Sequence, residues 1–137
     1  TTAAPLTTVA PTTVAPTTVA PTTVAPTTVA PTTIPVANGQ TIYGQPYAPS
    51  WPSIDMWDRL SVCEAGGNWT INAGNGYYGG LQFGNATWES VGGSGHANQA
   101  SREEQIYRGN LLWEKAGWDS WPGCKRKVGW SVWQTSP

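Results

Sequence analysis

The chain has 137 residues, with seven Lys or Arg, eight Asp or Glu, one His and a net charge of −1. That balance argues against general nucleic-acid binding, and no stretch is long and apolar enough to cross a membrane. The two cysteines and the lone His96, which lies far in sequence from both, are too few for a zinc site.

Charge divides the chain. No charged residue occurs from Thr1 to Ile54, all fifteen charges lie from Asp55 to Lys127, and all nine tryptophans lie from Trp51 to Trp133. One folded domain of roughly 75–85 residues is therefore expected behind an uncharged tail. In the tail, Ala-Pro-Thr-Thr-Val recurs at 10–14, 15–19, 20–24 and 25–29, with Ala-Pro-Thr-Thr-Ile at 30–34. Proline every fifth residue forbids continuous helix, and single valines bury too little to offset chain entropy. Residues 1–34 read as an extended, disordered stalk. Its paired threonines suit O-glycosylation in a secreted protein, and an unmodified linker fits equally well. No signal peptide is visible, which suggests a mature or trimmed form. Residues 35–52, rich in Gly and Pro, read as a loose connector.

The folded part opens with Ser53 as a helix N-cap and Asp55 in the first turn. Ile54, Trp57, Leu60 or Ser61, and Glu64 share one face, and Gly66-Gly67 ends the helix. Glu64 thus belongs at the edge of the apolar stripe. The runs 69–72 and 77–83 flank Ala73-Gly74-Asn75-Gly76, which predicts a hairpin turning at Asn75-Gly76. Asn85 is expected to cap a short helix through Thr87, Trp88 and Glu89. Ser101 and Glu104 form a capping box that opens a helix containing Ile106, Tyr107, Leu111 and Trp113 and ending at Gly117. That helix gives Glu103, Glu104 and Glu114 an ordinary surface role. Lys125-Arg126-Lys127 reads as a solvated terminus, with contact to an anionic polymer as the alternative.

Cys63 and Cys124 fall near the two ends of the folded part. A disulfide between them would close a long loop, stabilise by about 4 kcal/mol in the chain-entropy model and place the protein in an oxidising compartment. Two buried thiols are the alternative.

The segment Cys63-Glu64-Ala65-Gly66-Gly67-Asn68-Trp69 carries the chemistry. A carboxylate held in a partly dry cleft keeps its proton towards neutral pH, as glycosidic cleavage requires of its acid. Six glycines from Gly66 to Gly80 lie among Trp69, Tyr77 and Tyr78, whose faces could stack on sugars. Asn68, Asn72, Asn75 and Gln82 supply neutral hydrogen-bonding groups, with a structural role in turns expected for some of the asparagines. No second acid occurs between Glu64 and Trp88, although Glu89 or Asp119 could reach the cleft. With a single acid, cleavage proceeds if the substrate supplies its own nucleophile.

These residues, together with Ile71-Asn72, Gly74 through Gly80, Gln82-Phe83, Thr87-Trp88, Arg102 through Ile106, and Gly117-Trp118 through Trp121-Pro122, resemble the resuscitation-promoting factor family. The resemblance implies an α+β fold: a small lysozyme-like, lytic-transglycosylase-like domain over 53–124, with about three helices and a short hairpin. It implies a secreted, wall-associated monomer that cleaves peptidoglycan strands and promotes regrowth from dormancy. A second wall hydrolase is a further expected partner, and no cofactor is implied. Water-driven hydrolysis and a non-catalytic sugar-binding module are the competing expectations. The family's catalytic residue falls on Glu64 and its disulfide on Cys63 and Cys124. Its cleft residues fall on Asn72, Tyr77, Tyr78, Gln82, Thr87 and Trp88, with Asn75 added from the residues themselves. Two departures stand out. Ala116 occupies a position that is often polar in the family, and residues 125–137 form a short C-terminal tail without a family counterpart.

Overall fold

The computed structural model describes residues 39–137; the stalk and the start of the connector lie outside them. Four helices and one small hairpin follow in order. They are α1 (Ile54–Ala65), β1 (Tyr77–Tyr78), β2 (Phe83–Gly84), α2 (Asn85–Ser90), α3 (Arg102–Ala116) and α4 (Pro122–Val128). The fold is α+β, as expected, and a disulfide joins Cys63 to Cys124. α4 is the helix beyond the expected three, and it covers part of the expected tail.

α1 buries Met56, Trp57, Leu60 and Ser61. Gly66 ends it in the left-handed region at φ 63°. The Gly66 and Gly67 amides then donate to the Val62 and Ser61 carbonyls at 3.1 and 3.0 Å, which satisfies the last turn. Ser53 holds the N-cap position, but its hydroxyl makes no capping bond. α3 opens as expected, with Ser101 Oγ accepting from the Glu104 amide at 3.1 Å.

Two local expectations are corrected. The paired strands are Tyr77–Tyr78 and Phe83–Gly84, so the hairpin turns at 79–82 and not at Asn75-Gly76. The Asn75-Gly76 segment is closed only by an isolated bridge between Asn72 and Tyr78. Asn72 and Asn75 spend their side-chain oxygens on the Gly74 and Tyr77 amides, at 3.1 Å each, which makes compact Asx turns. Asn85 is the first residue of α2, and Gly84 is its cap. The Asn85 side chain instead lies 2.7 Å from His96 Nδ1.

The core is largely tryptophan. Trp57, Trp88 and Trp118 are fully buried, with Trp113, Trp121 and Trp130 close behind. Trp118 packs at 4.8 Å from Trp57 and 4.6 Å from Trp130. Large rings bury much area per residue, which a small domain needs. Expected cleft residue Trp88 belongs to this core: it packs on Phe83, and its Nε1–H donates to the Ser94 carbonyl. No face of it remains for a ligand.

The ends of the described chain are packed too. Ile42 is buried. The Tyr47 hydroxyl donates to the Pro52 carbonyl at 2.7 Å and also meets Asn110. Burial pushes the Tyr47 phenol up to about 12, so it stays a neutral donor. Trp51 Nε1–H donates to Glu114 at 2.6 Å. At the other end, the Trp118 and Ser53 amides donate to the Val132 and Thr135 carbonyls. Residues 41–51 and 130–135 therefore close the base of the domain.

Gln105 pins the site-bearing loops to α3. It is fully buried. Its Oε1 accepts from the Gly80 amide at 2.8 Å, and its Nε2 donates to the Trp69 and Ala100 carbonyls at 2.8 and 3.1 Å. Gly80 lies so close to Trp69 that a Cβ there would meet the indole at 2.5 Å. Gln105→Leu would keep the bulk and strand three backbone groups. We expect it to cost about 3 kcal/mol, read as a lower urea midpoint at unchanged m-value.

Candidate active site

Glu64 stands in the last turn of α1, one residue after the disulfide. The bridge draws α4 against this end of α1, and two clefts meet there. One, of about 380 Å³, is lined by Glu64, Asn75, Tyr77, Gln82, Ser120, Trp121, Pro122 and Gly123. The other, of about 550 Å³, is lined by Glu64, Gly123, Cys124, Arg126 and Lys127. Glu64 is the only acidic residue lining either of these clefts, and no salt bridge or side-chain hydrogen bond engages it among the described residues.

Burial raises the Glu64 carboxyl above its ordinary value of 4.5, while the Lys127 charge pulls it back. Loss of solvation is the larger effect, because no donor stabilises the charged form. The same shift bears on stability. A carboxyl whose folded value is raised costs nothing below its unfolded value and weakens the fold as pH rises through the folded one. Glu64→Gln should therefore melt about 2 °C above the parent at pH 7, a gain that solvent screening keeps small. The difference should vanish below about pH 4, in paired calorimetric scans.

Of the sequence-predicted residues, Asn75, Tyr77 and Gln82 join Glu64. Tyr77 is 53 % exposed, so its ring is open to a flat ligand. Gln82 sits at φ 52°, a left-handed conformation that costs a residue bearing a Cβ about 1 kcal/mol. Its Nε2 donates to the Gly79 carbonyl at 3.0 Å, which ties the amide to the hairpin turn. Asn72, Tyr78, Thr87 and Trp88 line neither cleft. Tyr78 stacks on His96 at 4.2 Å. Ala116 also lines neither cleft, so the departure there touches no contact to Glu64. Glu89 and Asp119 are absent from both linings, and Asp119 is held by Lys125 Nζ at 2.6 Å.

Sequence reasoning missed Ser120 through Gly123, and it gave Arg126 and Lys127 no place beside Glu64. A signal was available: whatever flanks Cys124 must approach whatever flanks Cys63. Trp121 is fixed by its Nε1–H, which donates to the Leu81 carbonyl at 2.8 Å, so this part of the cleft lining is held in place.

The model of the transglycosylase-like domain family matches residues 52–124, a span that contains α1 to α3, the start of α4 and the carboxylate shared by both clefts. The chain is 51 % identical over 77 residues to the resuscitation-promoting factor Rpf of Micrococcus luteus, covering 56 % of this chain and 34 % of the relative. It is 48 % identical over 87 residues to Rpf1 of Corynebacterium glutamicum, covering 61 % and 45 %. It is 54 % identical over 71 residues to RpfE of Mycobacterium tuberculosis, covering 52 % and 41 %. The matched regions span about a third to just under a half of these relatives' own lengths. With the matched span holding Glu64 and the bridge that positions it, the chain belongs to the transglycosylase-like domain family, among the resuscitation-promoting factors.

Proposed function

We propose that this domain cleaves the glycan backbone of peptidoglycan outside the cell as a lytic transglycosylase, and so promotes regrowth from dormancy, in keeping with relatives that are called resuscitation-promoting factors. The observation that carries the reading is Glu64, the one carboxylate at the junction of two clefts, with its proton held above the ordinary range. Glu64 donates that proton to the bridging oxygen as the bond to the muramyl anomeric carbon breaks. The muramyl C6 hydroxyl attacks the same carbon and passes its proton back to Glu64. The products are a free 4-hydroxyl and a 1,6-anhydro end. No water is consumed, and the carboxyl is regenerated.

Hydrolysis would need a base on the opposite face of the sugar ring, and neither Glu89 nor Asp119 lines the clefts. Tyr77 offers a stacking face, and Asn75 and Gln82 offer amides for hydroxyl and N-acetyl groups. Mass spectrometry of fragments released from purified wall tests this. Anhydro-muramyl ends are expected to dominate; reducing ends as the main product would assign the reaction to water.

A further inference from the structure

Glu64 and Gly123 line both clefts, so the groove forks at the reacting group. The two arms differ in charge. The smaller arm carries neutral amides and aromatic rings beyond Glu64. The larger arm carries Arg126 and Lys127. The other arginines and Lys125 are each paired: Arg59 with Asp55, Arg102 with Asp58, Arg108 with Glu104, Lys125 with Asp119. Lys115 donates to the Ser90 carbonyl. Arg126 and Lys127 alone make neither a salt bridge nor a side-chain hydrogen bond among the described residues, although Lys127 acts on Glu64 through its charge, and both line the cleft.

We propose that this arm is a subsite for a carboxylate carried by the substrate strand, namely the free carboxylates of the peptide stem on the muramyl residue. The inference rests on the reading that peptidoglycan is the substrate, and it assigns the side of Glu64 on which the stem lies. The guanidinium fork of Arg126 matches a carboxylate with two parallel hydrogen bonds, and Lys127 adds a point charge. Glu64 cannot satisfy both cations, because its proton must be retained for the reaction. The helix dipole explains why cations gather in the last turn of α4. It does not explain why two of the three line the groove while the third is bound to Asp119.

The test compares the parent with Arg126→Gln/Lys127→Gln on solubilised strands. These are first freed of phosphodiester-linked polymers with hydrofluoric acid, then used either with stem carboxylates free or after carbodiimide amidation. Both residues are exposed, and glutamine is a good helix former, so the variant should fold; its melting curve checks this. On free-carboxylate strands the variant is expected to raise KM about tenfold with kcat within about threefold, and Lys127→Arg is expected to retain parental KM. On amidated strands, parent and variant should agree within about twofold. An equal deficit on both substrates would overturn the proposal in favour of a purely electrostatic effect on Glu64. A deficit seen only on untreated, phosphate-bearing wall would overturn it in favour of a phosphate. Failure of the parent to release anhydro fragments from any strand would instead sink the peptidoglycan reading itself.

Discussion

Glu64→Gln is expected to lower the rate of fragment release by about 10³-fold, within the 10²–10⁴ range of a positioned general acid. Glutamine keeps the shape and removes only the titrating proton. The variant should therefore melt no lower than the parent, and residual binding to wall should persist. The clefts hold no second acid to take over, because Asp119 is engaged with Lys125 and Glu89 lies outside both linings. The pH profile carries the same information. The reaction needs the protonated carboxyl, so kcat/KM should hold on the acid side and fall as pH rises through the Glu64 value, which burial has raised above 4.5. Lys127 opposes that rise, so Lys127→Gln should move the alkaline limb to higher pH. A Glu64→Gln variant with more than a tenth of parental activity, measured by soluble muropeptide release, would remove Glu64 from the mechanism.

Cys63→Ser/Cys124→Ser is expected to destabilise the domain by about 4 kcal/mol, since the bridge closes a loop with a sequence separation of 61. A domain of this size has only about 5–15 kcal/mol in total, so the loss should lower Tm by roughly 15–30 °C. Tryptophan fluorescence in urea reads it directly, because the core rings change environment together. The consequence reaches the site. α4 supplies Gly123, Arg126 and Lys127 to the groove, and the bridge is the covalent tie that holds α4 to the end of α1. Activity per folded molecule should fall even at low temperature. A loss under 1 kcal/mol would mean that Trp118, Trp121 and Trp130 hold α4 without the bridge.

The outline of the domain was legible because its signals are local. Ser101 caps the helix its capping-box pattern announces, and Gly66 and Gly117 end helices where glycine is written. Glu64 was legible because helical spacing fixes a face, and the face of α1 is set by Trp57 and Leu60. The hairpin was misplaced because Asn75-Gly76 is a strong turn signal used here for an Asx turn. The turn of the observed hairpin is instead anchored by Gln105, whose side-chain oxygen accepts from the Gly80 amide across from α3. Trp88 was misread for a related reason. An aromatic ring can face a sugar or a core, and only the position of Phe83 and α3 against it decides which.

By itself the sequence determined where the folded domain begins, which carboxylate stands at the end of the first helix, and which two cysteines are available to tie the ends together. Those properties depend on composition, period and neighbours along the chain. Only the tertiary structure decided that Lys127 faces Glu64, that Trp121 lines the same groove as Tyr77, and that residues 41–51 and 130–135 complete the core. Desolvation, cleft shape and charge pairing depend on distances between segments remote in sequence, and a linear pattern does not encode such distances until the core has packed.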